Sequence, residues 1–149
     1  MTEQGKYEDM LSWENLPEEQ LVPSGTWLLR CRNAVFSTGK DGAFPKVLFF
    51  YEAKEPVEGI DPEALEQFQS SNAAPADVVV QFFAKRKKDW DAVKEHLALL
   101  GVEAKGSIPE TLKAAKGAEI IGWVDVETFT SKQTGSQETK NVANNFTAP

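Results

Sequence analysis

Cysteine and histidine each occur once in this chain of 149 residues, as Cys31 and His96. A single cysteine excludes an intramolecular disulfide and any zinc site built on cysteines. A single histidine leaves little for metal ligation or a nucleophile–base pair. Long hydrophobic runs are missing too. The longest nearly apolar stretch, Val78 to Ala84, is interrupted by Gln81 and is far too short to cross a bilayer. The first twenty residues hold six acids and no apolar stretch, so no secretory leader is expected and the cytoplasm is the expected compartment. A phosphate-cradling glycine loop is also absent, because Gly39-Lys40 lacks the preceding glycine and falls in a hairpin turn.

What is present is the composition of one globular domain: 41% apolar and 26% charged residues, enough to bury a single core. The net charge of −7 argues at first against a polyanionic partner. Its distribution reverses that inference. Residues 1–22 carry −5 and residues 55–76 carry −5, so the remainder of the chain is +3. The acidity is segregated from a mildly basic body.

Residues 1–22 therefore read as an acidic extension that ends in the turn Pro23-Ser24-Gly25, and residues 23–149 as the domain. Thr26 to Phe36 alternates as a strand, with Trp27, Leu29, Cys31, Asn33 and Val35 on one face and Leu28, Arg30, Arg32, Ala34 and Phe36 on the other. Ser37 to Gly42 supplies hairpin chemistry, and Phe44 to Ala53 returns as the second strand. Residues 55–76 form an acidic connector with a short helix over Pro62–Phe68. Asp77 to Lys85 is the third strand. Lys88 to Leu100 is a helix with Trp90, Val93, Leu97 and Leu100 on one stripe and Gly101 just past its end. A capping box from Ser107 to Glu110 opens a second short helix that Gly117 closes. Ala118 to Phe129 and Lys140 to Phe146 are the last two strands, with Ile120, Gly122, Val124 and Val126 of the former facing inward. The expected fold is mainly β with minor α: a five-stranded barrel with a helix between the third and fourth strands, the connectivity of an OB fold, with an acidic insertion between the second and third.

Catalysis finds little support in these residues. His96 follows Lys94 and Glu95 on the helix and reads as an exposed residue, Cys31 as a small buried one, and Asp125 and Glu127 as solvated surface. No enzyme activity, cofactor or metal is expected. Binding is better supported. Arg30 and Arg32 share a strand face with Phe36, Lys40 follows in the turn, and Lys46 and Phe50 share a face of the second strand. Cations interleaved with aromatics suit single-stranded nucleic acid, where charge meets phosphate and rings stack on bases. Lys85, Arg86 and Lys87 begin the densest basic run, placed to clamp phosphates or to stand as a solvated corner. Trp123 reads as an outer-surface aromatic that either stacks on bases or lies under the connector or a partner chain. Lys132 sits in the loop between the last two strands.

Gly25-Thr26-Trp27, the turn Thr38 to Gly42, Lys46 to Phe50, the helix end Leu97 to Gly101, Leu112 to Ala118 and the finish through Lys140-Asn141-Val142 together form a familiar pattern. Over about residues 23–146 it resembles the small OB-fold single-stranded-DNA-binding proteins encoded by bacteriophages. The resemblance implies a protein that coats single-stranded DNA in phage replication or recombination, without base preference, in the host cytoplasm. It places Arg30, Arg32, Lys40, Lys46 and Lys132 against phosphates and Phe36, Phe50 and Trp123 against bases. Replication or recombination proteins are implied as partners, and a homo-oligomer is compatible with it. Many such proteins end in an acidic tail, whereas this chain ends without charge and holds its acids at the N-terminus and in the connector. The competing expectation is a phage structural or accessory module whose aromatic surface meets protein.

Overall fold

The computed structural model describes residues 19–38, 45–131 and 135–149. Their order is β1 (Gly25–Ser37), β2 (Lys46–Glu58), α1 (Pro62–Ser70), β3 (Val78–Phe83), α2 (Lys87–Leu99), α3 (Ile108–Ala114), β4 (Glu119–Thr130) and β5 (Gln137–Thr147). The strands close into a barrel in the order β1-β2-β3-β5-β4, antiparallel except for a short parallel contact between β3 and β5. This is the OB-fold-like barrel that the strand order implies. β2 runs on to Glu58 and pairs those residues with Thr26 to Leu28, so the start of the expected connector belongs to the sheet. Lys40 and Lys132 lie outside the described residues.

Inward-pointing side chains fill the barrel in the period of two that strands impose. Trp27, Leu29 and Cys31 of β1 meet Val47, Phe49 and Tyr51 of β2, Val78 and Val80 of β3, and Ile120 and Val124 of β4. The alternation breaks at Arg32. Cys31 pairs with Tyr51 but Asn33 pairs with Phe50, so Arg32 is an extra residue in the ladder, a β-bulge. Beyond it the phase inverts: Ala34 is buried, while Asn33 and Val35 are not. Regular alternation places Asn33 and Val35 with Trp27; the bulge moves them off that face. On β4 the inward face ends at Val124, and Val126, expected inside, is 39% exposed because the strand has by then left the barrel as an arm paired with β5.

His96 is the largest departure from the sequence reading. It is buried, not exposed, because Val93, His96, Leu97 and Leu100 together form the packed stripe of α2. Its ring lies 4.7 Å from Phe49, 5.1 Å from Phe82 and 4.7 Å from Phe146, and its Nε2 shares a 2.5 Å hydrogen bond with the Tyr51 hydroxyl. Burial disfavours the imidazolium and pushes the His96 pKa down to about 4, and it raises that of Tyr51.

Two close approaches lock the barrel seam. Asn145 adopts a left-handed φ of 52° where β5 slips register against Ile121 and Trp123, turning the Phe146 ring toward the interior. Gly122 leaves room for it: a Cβ there would stand 2.8 Å from Phe146 Cδ1. At the start of β1, a Cβ on Gly25 would meet Ile60 Cγ1 at 2.2 Å, and its φ of 147° favours glycine as well.

The end of the acidic extension belongs to the domain. Val22 is fully buried; its N–H donates to Asn141 Oδ1 at 2.8 Å and its carbonyl accepts from Asn141 Nδ2 at 2.9 Å. Gln20 pairs its backbone with Ala74 and Ala76, and its side-chain amide donates to the carbonyls of Phe68 and Ala73. α1 is held over the barrel by the edge-on contact of Phe68 with Trp27, 5.6 Å between centroids.

Two outcomes follow from this packing. Gly122→Ala is expected to lower stability by roughly 1–3 kcal/mol, since neither Phe146 nor the neighbouring Leu29 can retreat without disturbing the core; a urea midpoint equal to the parent's would refute it. The folded His96 pKa of about 4 lies below an ordinary value near 6.5, so the unfolded chain binds more protons between these limits. His96 therefore leaves stability intact above about pH 6.5 and lowers it by up to roughly 3 kcal/mol as pH falls toward 4. Urea titrations of the parent and His96→Gln at pH 7.5, 6 and 5 isolate this contribution, and parallel pH profiles would exclude it.

Candidate nucleic-acid interface

The outer face of β1, β2 and β3 is assembled by the same bulge that disturbs the interior. Arg32, as the extra residue, stands outside the barrel, and the outward set continues through Asn33 on β1, Lys46, Leu48 and Phe50 on β2, and Val79, Gln81 and Phe83 on β3. Phe50 is the half-buried centre of this face. On one side, with Arg32, Asn33, Asp77 and Lys116, it lines an open groove of about 450 Å³. On the other, with Leu21, Val79, Thr139 and Lys140 among its neighbours, it lines a second groove of about 340 Å³ that Glu19 also reaches. The ring is a ridge between two troughs.

Backbone bonds hold the flanking cations in place. Cys31 N–H donates to the Ala118 carbonyl, and Gly117 N–H donates to the Cys31 carbonyl, both at 2.8 Å. These tie the turn after α3 to β1 and set Lys116 beside the bulge. Lys140 sits on β5 with its ammonium 5.0 Å from the Phe129 ring centre, a cation–π contact. Lys116 and Lys140 were not singled out in the sequence, because neither belongs to a basic run; only the closure of the barrel brings them to Phe50.

The arginines are engaged. Arg32 Nη1 lies 2.8 Å from Asp77 Oδ1, and Arg30 Nε lies 3.8 Å from Glu52 Oε1. All four side chains are well exposed, and such pairs contribute only about 0–1 kcal/mol each, so an incoming anion can replace the carboxylate at small cost. The other sequence candidates disperse. Phe36, turned by the bulge, is 45% exposed and tilts onto Trp90 of α2 at 5.8 Å; it does not share a face with Arg30. Trp123 lies on β4 between Thr26 and Asn144, where a Cβ on Gly59 would stand 3.2 Å from its ring. The stretch after β2 thus lies against it, and it is not brought to Phe50.

Lys46 joins a separate group at the far end of β2. Its ammonium is 5.9 Å from the centre of the Phe83 ring, and Phe83, Lys85, Arg86, Lys88 and Asp89 line a groove of about 290 Å³. Lys87, the first residue of α2, is exposed but outside that groove. Lys88 is the last residue of the basic run that the sequence marks, whereas Phe83 was missed because it reads as one more apolar residue of a strand. The Asp89 carboxylate folds back to accept the N–H groups of Arg86 at 2.9 Å and Lys85 at 3.3 Å, capping the helix.

Beneath this face the titratable groups are inert. Burial pushes the Cys31 thiol up to about 11, so no thiolate nucleophile is held there at neutral pH. Among the described residues no group of three His, Cys, Asp or Glu side chains is placed to hold a metal ion, and no helix is long and apolar enough to cross a membrane. The arrangement offers a fixed aromatic surface in open troughs bordered by cations, which can stack a planar ring and neutralise anions beside it. No protein-family model matches the chain, and no curated protein sequence is significantly similar to it.

Arg32 is expected to be dispensable for folding. Arg32→Ala should change the unfolding free energy by less than about 1 kcal/mol; a loss of 2 kcal/mol or more in urea would make it a structural residue.

Proposed function

We propose that this chain binds single-stranded DNA without base preference on the outer face of β1, β2 and β3, in the setting its resemblance implies, the coating of single strands in phage replication or recombination. The observation that carries this reading is Phe50. A ring held at half burial between two open grooves gives a stacking surface with little side-chain entropy left to lose, and every base has a π-face to place on it. Arg32, Lys116 and Lys140 stand where the backbone of a stacked strand would pass, and their contacts with phosphates would release counterions. Open troughs suit a polymer better than a compact metabolite, which an enclosed pocket would bury.

A second reading has its own observation. The groove of about 350 Å³ between α2 and α3 is floored by Val93, Leu97 and Leu112, with Ile108 47% exposed and Lys94 and Lys105 at its rim. It suits an apolar side chain of a partner protein, such as a replication or recombination protein, and is compatible with DNA on the strands.

Titrating end-labelled oligothymidylate and following anisotropy tests the first reading. Affinity should fall steeply between 50 and 300 mM salt, and Phe50→Ala should weaken binding by roughly tenfold or more, since one stack contributes about 1–3 kcal/mol. No binding at micromolar protein and low salt would sink the proposal.

A further inference from the structure

Phe83 raises a question that the Phe50 grooves leave open. It is 53% exposed, an unusual position for a phenylalanine on a barrel strand. The register pairs Phe83 with Lys46 and Val79 with Phe50, so both rings are on the same outer face, four residues apart along the strands and on adjacent strands. At about 3.3 Å per residue and about 4.8 Å between strands, their Cα positions lie roughly 14 Å apart on a diagonal. Arg86 and Lys88 border Phe83, and neither pairs with an acid among the described residues, in contrast to Arg30, Arg32 and Lys54. Among the described residues that line the groove the one acid, Asp89, is turned to the helix backbone.

We propose that Phe83, Arg86 and Lys88 form a second base-and-phosphate position for the strand that stacks on Phe50, so that it crosses β2 and β3 diagonally toward the start of α2. This rests on the reading of the Phe50 face as a single-strand site. A stacked strand advances about 3.4 Å per nucleotide, so bases on the two rings are about four nucleotides apart when stacked and fewer when stretched. An oligomer of three nucleotides engages one ring; one of about eight engages both. The resulting footprint falls within the roughly 4–16 nucleotides that such barrels cover.

The expected signature is a step in affinity with length. Labelled oligothymidylates of three and ten nucleotides should differ at least tenfold in affinity for the parent protein, and Phe83→Ala should remove most of that difference. Phe83 is outside the core, so an unchanged melting temperature would confirm that the variant is folded. Arg86→Gln with Lys88→Gln should reduce the salt slope on the ten-nucleotide strand by about 1.4, two single-strand phosphate contacts at about 0.7 each. If the parent binds and Phe50→Ala impairs it, yet Phe83→Ala leaves the length step intact, the diagonal path is wrong and the single-strand reading stands. If the parent binds neither oligomer, both fail together.

Discussion

Five strands close into a barrel only if some of them coil sharply, and in this chain β1 and β2 carry that constraint. They are the longest strands, thirteen residues each, and their shared ladder slips register three times, between Thr26 and Trp27, Leu28 and Leu29, and Cys31 and Asn33. Each slip adds local right-handed twist and bends the strand around the axis. The bending lets β1 pair with β2 along most of its length while its first six residues also pair with β4. The bulge at Arg32 has a second effect. It leaves Arg32 and Asn33 both on the outer face, turns Phe36 away from that face, and so decides which aromatic is left at its centre.

Charge is arranged around that centre in two ways. Near Phe50 the arginines are paired with acids on exposed surface, where the pairing is weak and replaceable. Near Phe83, Arg86 and Lys88 have no such partners among the described residues, and the nearby Asp89 carboxylate is committed to a helix cap. The net charge of the chain conceals both arrangements, because nearly half of its acids lie at the N-terminus and around α1, where bases are few.

The strand order, α2, α3 and the ends of both helices were legible because punctuation marks them: Gly101 and Gly117 adopt φ of 78° and 89° just past α2 and α3, and Ser107 caps α3. Along β1, which way each side chain points was legible only up to the bulge at Arg32. A one-residue slip inverts the faces and leaves no compositional trace, so Asn33, Val35 and Phe36 could not be placed by alternation. His96 was misread for a different reason. Its spacing from Val93 and Leu100 is that of the buried stripe, and only its polar type argued for solvent; the Tyr51 hydroxyl across the barrel, which satisfies it, is 45 positions away. Lys116 and Lys140 were invisible for the same cause, since long-range closure, not local pattern, brings them to Phe50.

The attachment of Gln20 and Val22 places a seam in the chain. Upstream of Gln20, removing residues takes away none of the described hydrogen bonds to residues 68–76 or to Asn141. Cutting past Val22 would strip a fully buried side chain and leave Asn141 Oδ1 without its donor and Nδ2 with only its 3.3 Å bond to the Asp125 carbonyl, a defect costing on the order of 1–3 kcal/mol for a stranded group. The described contacts thus define a three-residue hem, Gln20 to Val22, and any shortened or fused version of this protein must be cut on the upstream side of that hem.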